Sequence, residues 1–376
     1  MRKILITGGA GFIGSGLALA LLERDWVVTV LDSLSAQIHG ADPNRSTLFR
    51  AIAGKVRFIH ADVTNREALA AALAGQDAVV HFAAETGTGQ SMYRVEQYSR
   101  VNVGGTALLL DLLANQPHGV QRVLVASSRA IYGEGTYGSH ELGAVYPEHR
   151  SAADLERGDF EVKYPWTSRL TPLPTDEDSK VHPSSVYGIT KQVQEQLVMT
   201  VCPAIGIDGV ALRYQNVYGP GQSLVNPYTG ILSIFSNLIM SGKPINVFED
   251  GLESRDFVYI DDVVDATVLA LTQPEARDEV INVGTGRPTD VLTVARTLMS
   301  QLGRQVPLVV SGNFRLGDVR HNYACTNKAE RSLGFKPRYD FVSGIAKYCK
   351  WALEHGPVAS DYEGSIAEMK GRGLLK

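Results

Sequence analysis

The chain has 376 residues, 44% hydrophobic and 20% charged, a balance that builds a folded protein and excludes disorder. At this length one core seldom suffices, so two domains or one elaborated α/β domain are expected. Lys and Arg number 36 against 40 Asp and Glu, a net charge of −4 that offers no basic field for nucleic acid.

In chain order, short β-branched runs alternate with helical patterns. The pattern predicts strands at Lys3–Thr7, Val27–Leu31, Val56–His60, Ala78–His81 and Arg122–Ala126, with helices at Ile13–Glu23, Arg66–Leu73 and Gln97–Ala114. Such alternation requires crossover connections, and hence a parallel sheet with helices on both faces. The apolar run Val123-Leu124-Val125-Ala126 suits a sheet buried on both sides. From Tyr132 to Pro183 the regularity lapses into glycines, prolines and charges, which reads as an ordered excursion or a lid. A helix at Val186–Thr200 and a strand at Gly209–Arg213 follow, then shorter mixed elements, and Val358–Lys376 reads as a tail. Cys202, Cys325 and Cys349 are scattered without ligand spacing, so neither disulfides nor a metal is expected. No apolar run reaches the ~18 residues of a membrane span, and no signal-peptide layout opens the chain, so a cytoplasmic enzyme is expected.

Thr7-Gly8-Gly9-Ala10-Gly11-Phe12-Ile13-Gly14 follows the first strand and opens the first helix. Glycines at 8, 11 and 14 allow a tight turn, close approach of backbone N–H groups to a pyrophosphate, and close helix–strand packing. Asp32 ends the second strand, where a carboxylate accepts from both adenosine ribose hydroxyls and repels a 2′-phosphate. No arginine lies within ten residues after it, which favours NAD over NADP. Phe12, Ile13 and Ser33 adjoin these groups; Asp62-Val63 ends the third strand where the adenine amino group would lie. Phe82, Ala83, Ala84 and Thr86 follow the fourth, with small residues that admit a cofactor, and His81 is read as a packed histidine rather than a catalyst.

Tyr187 and Lys191 fall one helical turn apart on one face. A free phenol titrates near ~10, and a nearby ammonium with a positive nicotinamide favours its ionised form, the form that acts as a base. Ser128, in the pair Ser127-Ser128 at the end of the fifth strand, can pass a proton between Tyr187 and a substrate oxygen.

With the glycine fingerprint, this set resembles the extended short-chain dehydrogenase/reductase family, and within it the NAD-dependent nucleotide-sugar epimerase/dehydratases. The resemblance runs from Met1 to about Trp351 and omits much of 132–183. It implies a Rossmann-type, doubly wound parallel sheet with a smaller mixed α/β C-terminal domain for the nucleotide sugar. Residues 1–215 with 245–275 would form the NAD-binding part, 133–183 an insertion, and 216–244 with 276–376 the substrate part. Ser128, Tyr187 and Lys191 match the catalytic triad, with Lys191 also placed to hold the nicotinamide ribose. Asn102 matches a buried asparagine that orders the site, and Tyr214 a tyrosine near the nicotinamide. Asn216, Arg255, Arg315 and Asp318 match residues around the sugar diphosphate, Asn246 and Phe248 a strand against the nucleobase, and Ser91 a residue near the sugar. A homodimer formed through Gln97–Ala114 and Val186–Thr200 is the family expectation.

Relatives that dehydrate at C5 and C6 carry Asp-Glu after the triad serine, and the decarboxylases keep a glutamate second; this chain has Arg129 and Ala130. The reading is therefore 4-epimerisation through a transient 4-keto sugar. A 4,6-dehydratase, a decarboxylase or a 4-keto reductase of the same family is the alternative, and a non-catalytic NAD-binding regulator a remote one. The segment 84–93 and the 59-residue spacing from Ser128 to Tyr187 resemble the branch containing dTDP-L-rhamnose 4-epimerases more than the UDP-glucose branch. Tyr146, Tyr164 or Trp166 of the insertion would cover the sugar, and Asn322 falls near a residue that limits substituent size. Arg129 has no account at this level.

Overall fold

The computed structural model describes residues 2–224, 226, 230–358 and 361–376. Strand β1 (Lys3–Thr7) exposes only its first residue, and Ile4, Leu5 and Ile6 are sealed from solvent. A strand apolar on both sides needs both faces covered. It lies inside a seven-stranded sheet with β2 (Val27–Asp32), β3 (Arg57–His60), β4 (Ala78–His81), β5 (Arg122–Ser128), Asp208–Tyr214 and Glu279–Val283. The order is Glu279–Val283, Asp208–Tyr214, β5, β4, β1, β2, β3, and every pairing is parallel. Leu17 and Leu21 of helix Phe12–Leu22 and Val263 of helix Ile260–Thr272 pack on one face. Leu109 and Leu113 of Gly105–Asn115 and Val198 of Val186–Ala204 pack on the other. The direction of winding reverses between β1 and β4, which opens a crevice at the carboxyl ends of these strands.

The strands run further than the pattern predicts at two places that matter. β2 reaches Asp32 and β5 reaches Ser128, so both residues are the last of their strands. The predicted helix Gln97–Ala114 is broken into Val95–Tyr98, a π-helical stretch Ser99–Gly104 and Gly105–Asn115. The wider turn turns Asn102 inward to the neighbouring loop, the kind of local device that π-bulges supply.

A second sheet is built on Ser254–Tyr259, which pairs in parallel with Asn216–Tyr218 and His321–Asn322 and antiparallel with Pro288–Asp290. Glu279–Val283 thus edges the main sheet although the sequence division counts it with the second domain, and Ser254–Tyr259 anchors the second sheet although it is counted with the first. Within the excursion, Tyr137–Ser139 pairs antiparallel with Gly143–Val145 and Leu170–Pro172 over a small core of Tyr137, Val145 and Val162. The tail is also structured: helix Tyr362–Gly371 is followed by Leu374 to Lys376 running antiparallel to Phe314–Leu316.

Candidate active site

At the crevice the glycine turn is forced by its neighbours. Gly8 has φ +70°, and a Cβ there would lie 2.7 Å from the backbone nitrogen of Ala83; a Cβ on Gly14 would lie 2.5 Å from the Gly8 carbonyl. Only glycine lets β1, β4 and the first helix approach this closely. Asp32 braces the turn: Oδ2 accepts from Ala10 N–H at 2.9 Å and Oδ1 from Leu34 N–H at 2.8 Å.

A cavity of about 590 Å³ follows. Of the residues expected at the cofactor, Gly8, Gly11, Phe12, Ile13, Gly14, Asp32, Ser33, Asp62, Val63, Phe82, Ala83, Ala84, Thr86, Tyr187, Lys191 and Tyr214 all line it. Asn102 does not. Its amide stands behind the lining, accepting from Glu85 N–H at 2.7 Å and donating to Thr190 Oγ1 at 2.9 Å, so it ties the loop after β4 to the helix of Tyr187. The sequence reading missed His39, Arg45, Trp351 and His355, which also line the cavity. Arg45 stands 13 positions past Asp32, on a short helical turn that no periodicity announces. Burial lowers the His39 pKa, with Asp32 pulling the other way. An elongated crevice with glycine amides at one end, carboxylates at the adenosine side and Tyr187 with Lys191 at the other fits a dinucleotide.

Ser185 caps the helix Val186–Ala204, accepting from Gly188 N–H at 3.1 Å, and Ser91 Oγ accepts from Tyr187 N–H at 3.0 Å. Ser91 also donates to Thr88 O at 2.6 Å and is fully buried, so it seats the first turn rather than facing a ligand as expected. The Tyr187 phenol is raised above its usual pKa by burial, against a hydrogen bond with Ser128 and the charge of Arg129. Lys191 Nζ donates to Ala126 O and to Gln194 Oε1, both at 2.9 Å, and burial draws its pKa down to about 7. His81 is enclosed between Thr7 Oγ1 and Thr106 Oγ1, its pKa pushed to about 3 by burial and then by Lys191, so it is a neutral structural residue. Ser127 is structural too, donating to Glu195 at 2.6 Å.

The residues expected at the substrate form a second group beyond Ser128. Arg255 is nearly buried, with donors on the carbonyls of Ser254, Arg320 and Val319 and on Asp318 Oδ1 at 2.9 Å. Burial would raise Asp318, but Arg255, then Arg315, hold its carboxyl at about 2. Arg315 stacks over Phe248 at 5.2 Å; among the described residues its buried Nε has no partner, and Asn246 Oδ1 is likewise unpartnered. An orphaned buried donor and acceptor beside an aromatic face suit a diphosphate and a nucleobase. Asn216 differs from expectation: its Oδ1 accepts from Arg129 Nε at 2.5 Å.

The insertion meets its expectation only in part. Of the residues expected over the sugar, Trp166 is 88% exposed and Tyr164 packs onto the insertion's own core. Instead Arg150 bonds Glu249 twice, at 2.7 and 2.8 Å, and the Asp318 carbonyl at 2.9 Å. Arg320, wholly buried, bonds Glu161 and Asp250. These contacts span up to 168 positions, so in the sequence they read as ordinary surface charge. Asn322 is 2% exposed and lies against Gly135, away from the cavity.

The profile of the NAD dependent epimerase/dehydratase family matches residues 4–151 and 163–284, breaking inside the insertion. The chain belongs to that family. Among its relatives is the dTDP-L-rhamnose 4-epimerase of Burkholderia thailandensis, 40% identical over 94% of this chain and 95% of the relative. A UDP-glucose 4-epimerase of Mycolicibacterium smegmatis is 30% identical over 92% and 96%. Among solved structures, the UDP-glucose 4-epimerase of Thermotoga maritima with UDP-glucose superposes with a TM-score of 0.75 at 28% identity, covering 94% of this chain and 99% of that one. The UDP-glucuronic acid 4-epimerase of Bacillus cereus, in complex with UDP-glucuronic acid and NAD, gives 0.76 at 26% identity, covering 94% and 100%.

Proposed function

We propose that the chain is an NAD-dependent nucleotide-sugar 4-epimerase. The observation that carries the reading is the meeting of Tyr187, Ser128 and Lys191 at the inner end of a dinucleotide-sized crevice. Gly8, Gly11 and Gly14, with Asp32 and Asp62 toward the adenosine end, would hold NAD, which when bound would supply a reversible hydride store. Tyr187 as phenolate removes the C4 hydroxyl proton, directly or through Ser128. Lys191 holds the nicotinamide ribose. Arg255 and Arg315 keep the diphosphate while the 4-ketose turns about that linkage, Asn246 and Phe248 hold the base, and Tyr187 returns the proton to the inverted C4 oxygen. Elimination is disfavoured because Arg129 and Ala130 offer no carboxyl acid and base after Ser128.

The 40% identical relative favours a dTDP-deoxyhexose as substrate. A cytoplasmic homodimer completes the reading. Ile189, 49% exposed, sits on Val186–Ala204, one of the two segments proposed for the contact. In the described residues no helix is long and apolar enough to cross a membrane. The test is incubation with UDP-, dTDP- and GDP-sugars while NMR follows the anomeric and C4 protons. Epimerisation gives interconversion of two sugars; a 4-keto-6-deoxy product would instead establish a dehydratase. Tyr187→Phe should lower turnover by ~10²-fold or more with NAD retained, and undiminished turnover would reject the assignment.

A further inference from the structure

The insertion reaches the substrate group through the side chain of Arg150, which is only 3% exposed. Its Nη1 donates to Phe160 O at 3.0 Å and to Glu249 Oε2 at 2.7 Å. Its Nη2 donates to Glu249 Oε1 at 2.8 Å and to Asp318 O at 2.9 Å, and Nε faces Glu134 Oε1 at 3.5 Å. A guanidinium is a rigid planar fork, so bonding a carboxylate through both nitrogens and a carbonyl beside it fixes the spacing of the segments it joins.

Both segments joined outside the insertion belong to the proposed nucleotide grip. Glu249 directly follows Phe248, over whose ring Arg315 stacks. Its backbone has φ +49°, a left-handed conformation that a glutamate rarely keeps unless its surroundings hold it. Asp318 carries the carboxylate that Arg255 meets at 2.9 Å, and Arg255 also donates to the carbonyls of Val319 and Arg320. The insertion holds this same segment 318–320 at both ends. Arg150 takes the Asp318 carbonyl, and Glu134 Oε2, from a residue 1% exposed, accepts from Arg320 N–H at 2.7 Å. Arg150 itself does not line the cavity of Tyr187.

We infer that Arg150 is a positioning residue for the nucleoside diphosphate: it sets the spacing between Phe248 and segment 318–320, and through them the placement of Arg315 and Arg255. The inference rests on the reading that Phe248, Arg255 and Arg315 hold the nucleotide. It gives the insertion a task other than covering the sugar. Arg150 acts on affinity for the nucleotide half of the substrate and leaves the C4 chemistry as it is.

The test is calorimetric binding of dTDP and UDP, beside steady-state turnover and melting, in the NAD-loaded native protein, Arg150→Lys, Arg315→Met and the variant carrying both changes. Arg150→Lys keeps a cation beside Glu249 and Glu134, but an ammonium cannot span both Glu249 oxygens and the Asp318 carbonyl. It should weaken nucleoside diphosphate binding and raise KM by about tenfold, with kcat within about twofold and NAD retained, the pattern of binding lost equally from ground and transition states. Because Arg150 acts partly through Arg315, adding Arg150→Lys to Arg315→Met should cost a further factor of about three or less. Unchanged binding in Arg150→Lys overturns the inference, and so does a lowered melting temperature with binding unchanged, which makes these bonds structural alone. Fully additive effects in the double variant overturn it too. Undiminished binding in Arg315→Met would reject the nucleotide site on which the inference rests, whereas weakened Arg315→Met beside unchanged Arg150→Lys rejects only the role of Arg150.

Discussion

The Asp32 carboxylate takes a backbone N–H on each oxygen, from Ala10 inside the glycine turn and from Leu34 beyond the strand. Asp32 also lines the cavity, so the side chain that sets the turn is the one proposed to accept from a ribose. Asp32→Ala would orphan two N–H groups, at a cost of ~1–3 kcal/mol for each left buried, and should weaken NAD retention by at least about tenfold. Thermal melting and nucleotide fluorescence check both. Lys191 gives a pH signature. Its folded pKa is about 7 against an ordinary 10.5, so between these values the unfolded chain holds a proton that the folded one has released. Stability should rise with pH across that window in the NAD-free protein and be least favoured below about 7, and Lys191→Met should flatten the rise in urea titrations. Asp32, Ser128, Tyr187 and Lys191 were legible in the sequence because strand ends and one helical turn fix them locally. The Arg129–Asn216 contact was not, because it joins positions 87 apart that no local period relates.

At the scale of elements, the helix Val186–Ala204 is started by two serines from different places, Ser185 at its cap and Ser91 from across the crevice. Ser185→Ala should cost ~1 kcal/mol and, by loosening the turn that carries Tyr187, lower kcat more than it lowers NAD retention. Stopped-flow turnover beside a melting curve separates the two effects. Strand and helix positions in the first half followed from periodicity because each is long, apolar and bounded by glycine or polar turns. The insertion escaped that logic. Its order comes from buried ion pairs with distant segments rather than from a repeating apolar face, and burial raises Glu134 to about 7 even against Arg150. Arg320→Met would take the guanidinium from Asp250 and Glu161, both of which reach solvent, while Glu249 keeps Arg150, and should destabilise by ~1–3 kcal/mol, read as a lowered denaturant midpoint.

On the scale of the whole molecule, a chain of net charge −4 is proposed to hold two anionic diphosphates. The means available are placed groups: glycine amides at the first helix, and Arg255 and Arg315 beyond Ser128. The C-terminal strap contributes to that placement. Tyr93 donates to Glu368 at 3.0 Å beside the loop of Ser91, and on either side of Arg315 Phe314 exchanges backbone bonds with Lys376 and Leu316 N–H donates to Leu374 O. Lys376 Nζ also reaches Glu156 of the insertion at 2.7 Å. Ending the chain after Val358 should therefore raise KM for the nucleotide sugar by about tenfold or more, the equivalent of ~1.4 kcal/mol, while NAD stays bound. The tail was unreadable as structure in the sequence because its helix has no apolar stripe and takes its order from what it spans. The claim on which everything else depends is that the C4 hydrogen leaves and returns inside one active site. A nucleotide sugar deuterated at C4, turned over in ordinary water and followed by NMR, tests it directly: the account predicts an inverted product with deuterium still at C4, and loss of that label to solvent or its appearance at C6 would contradict it.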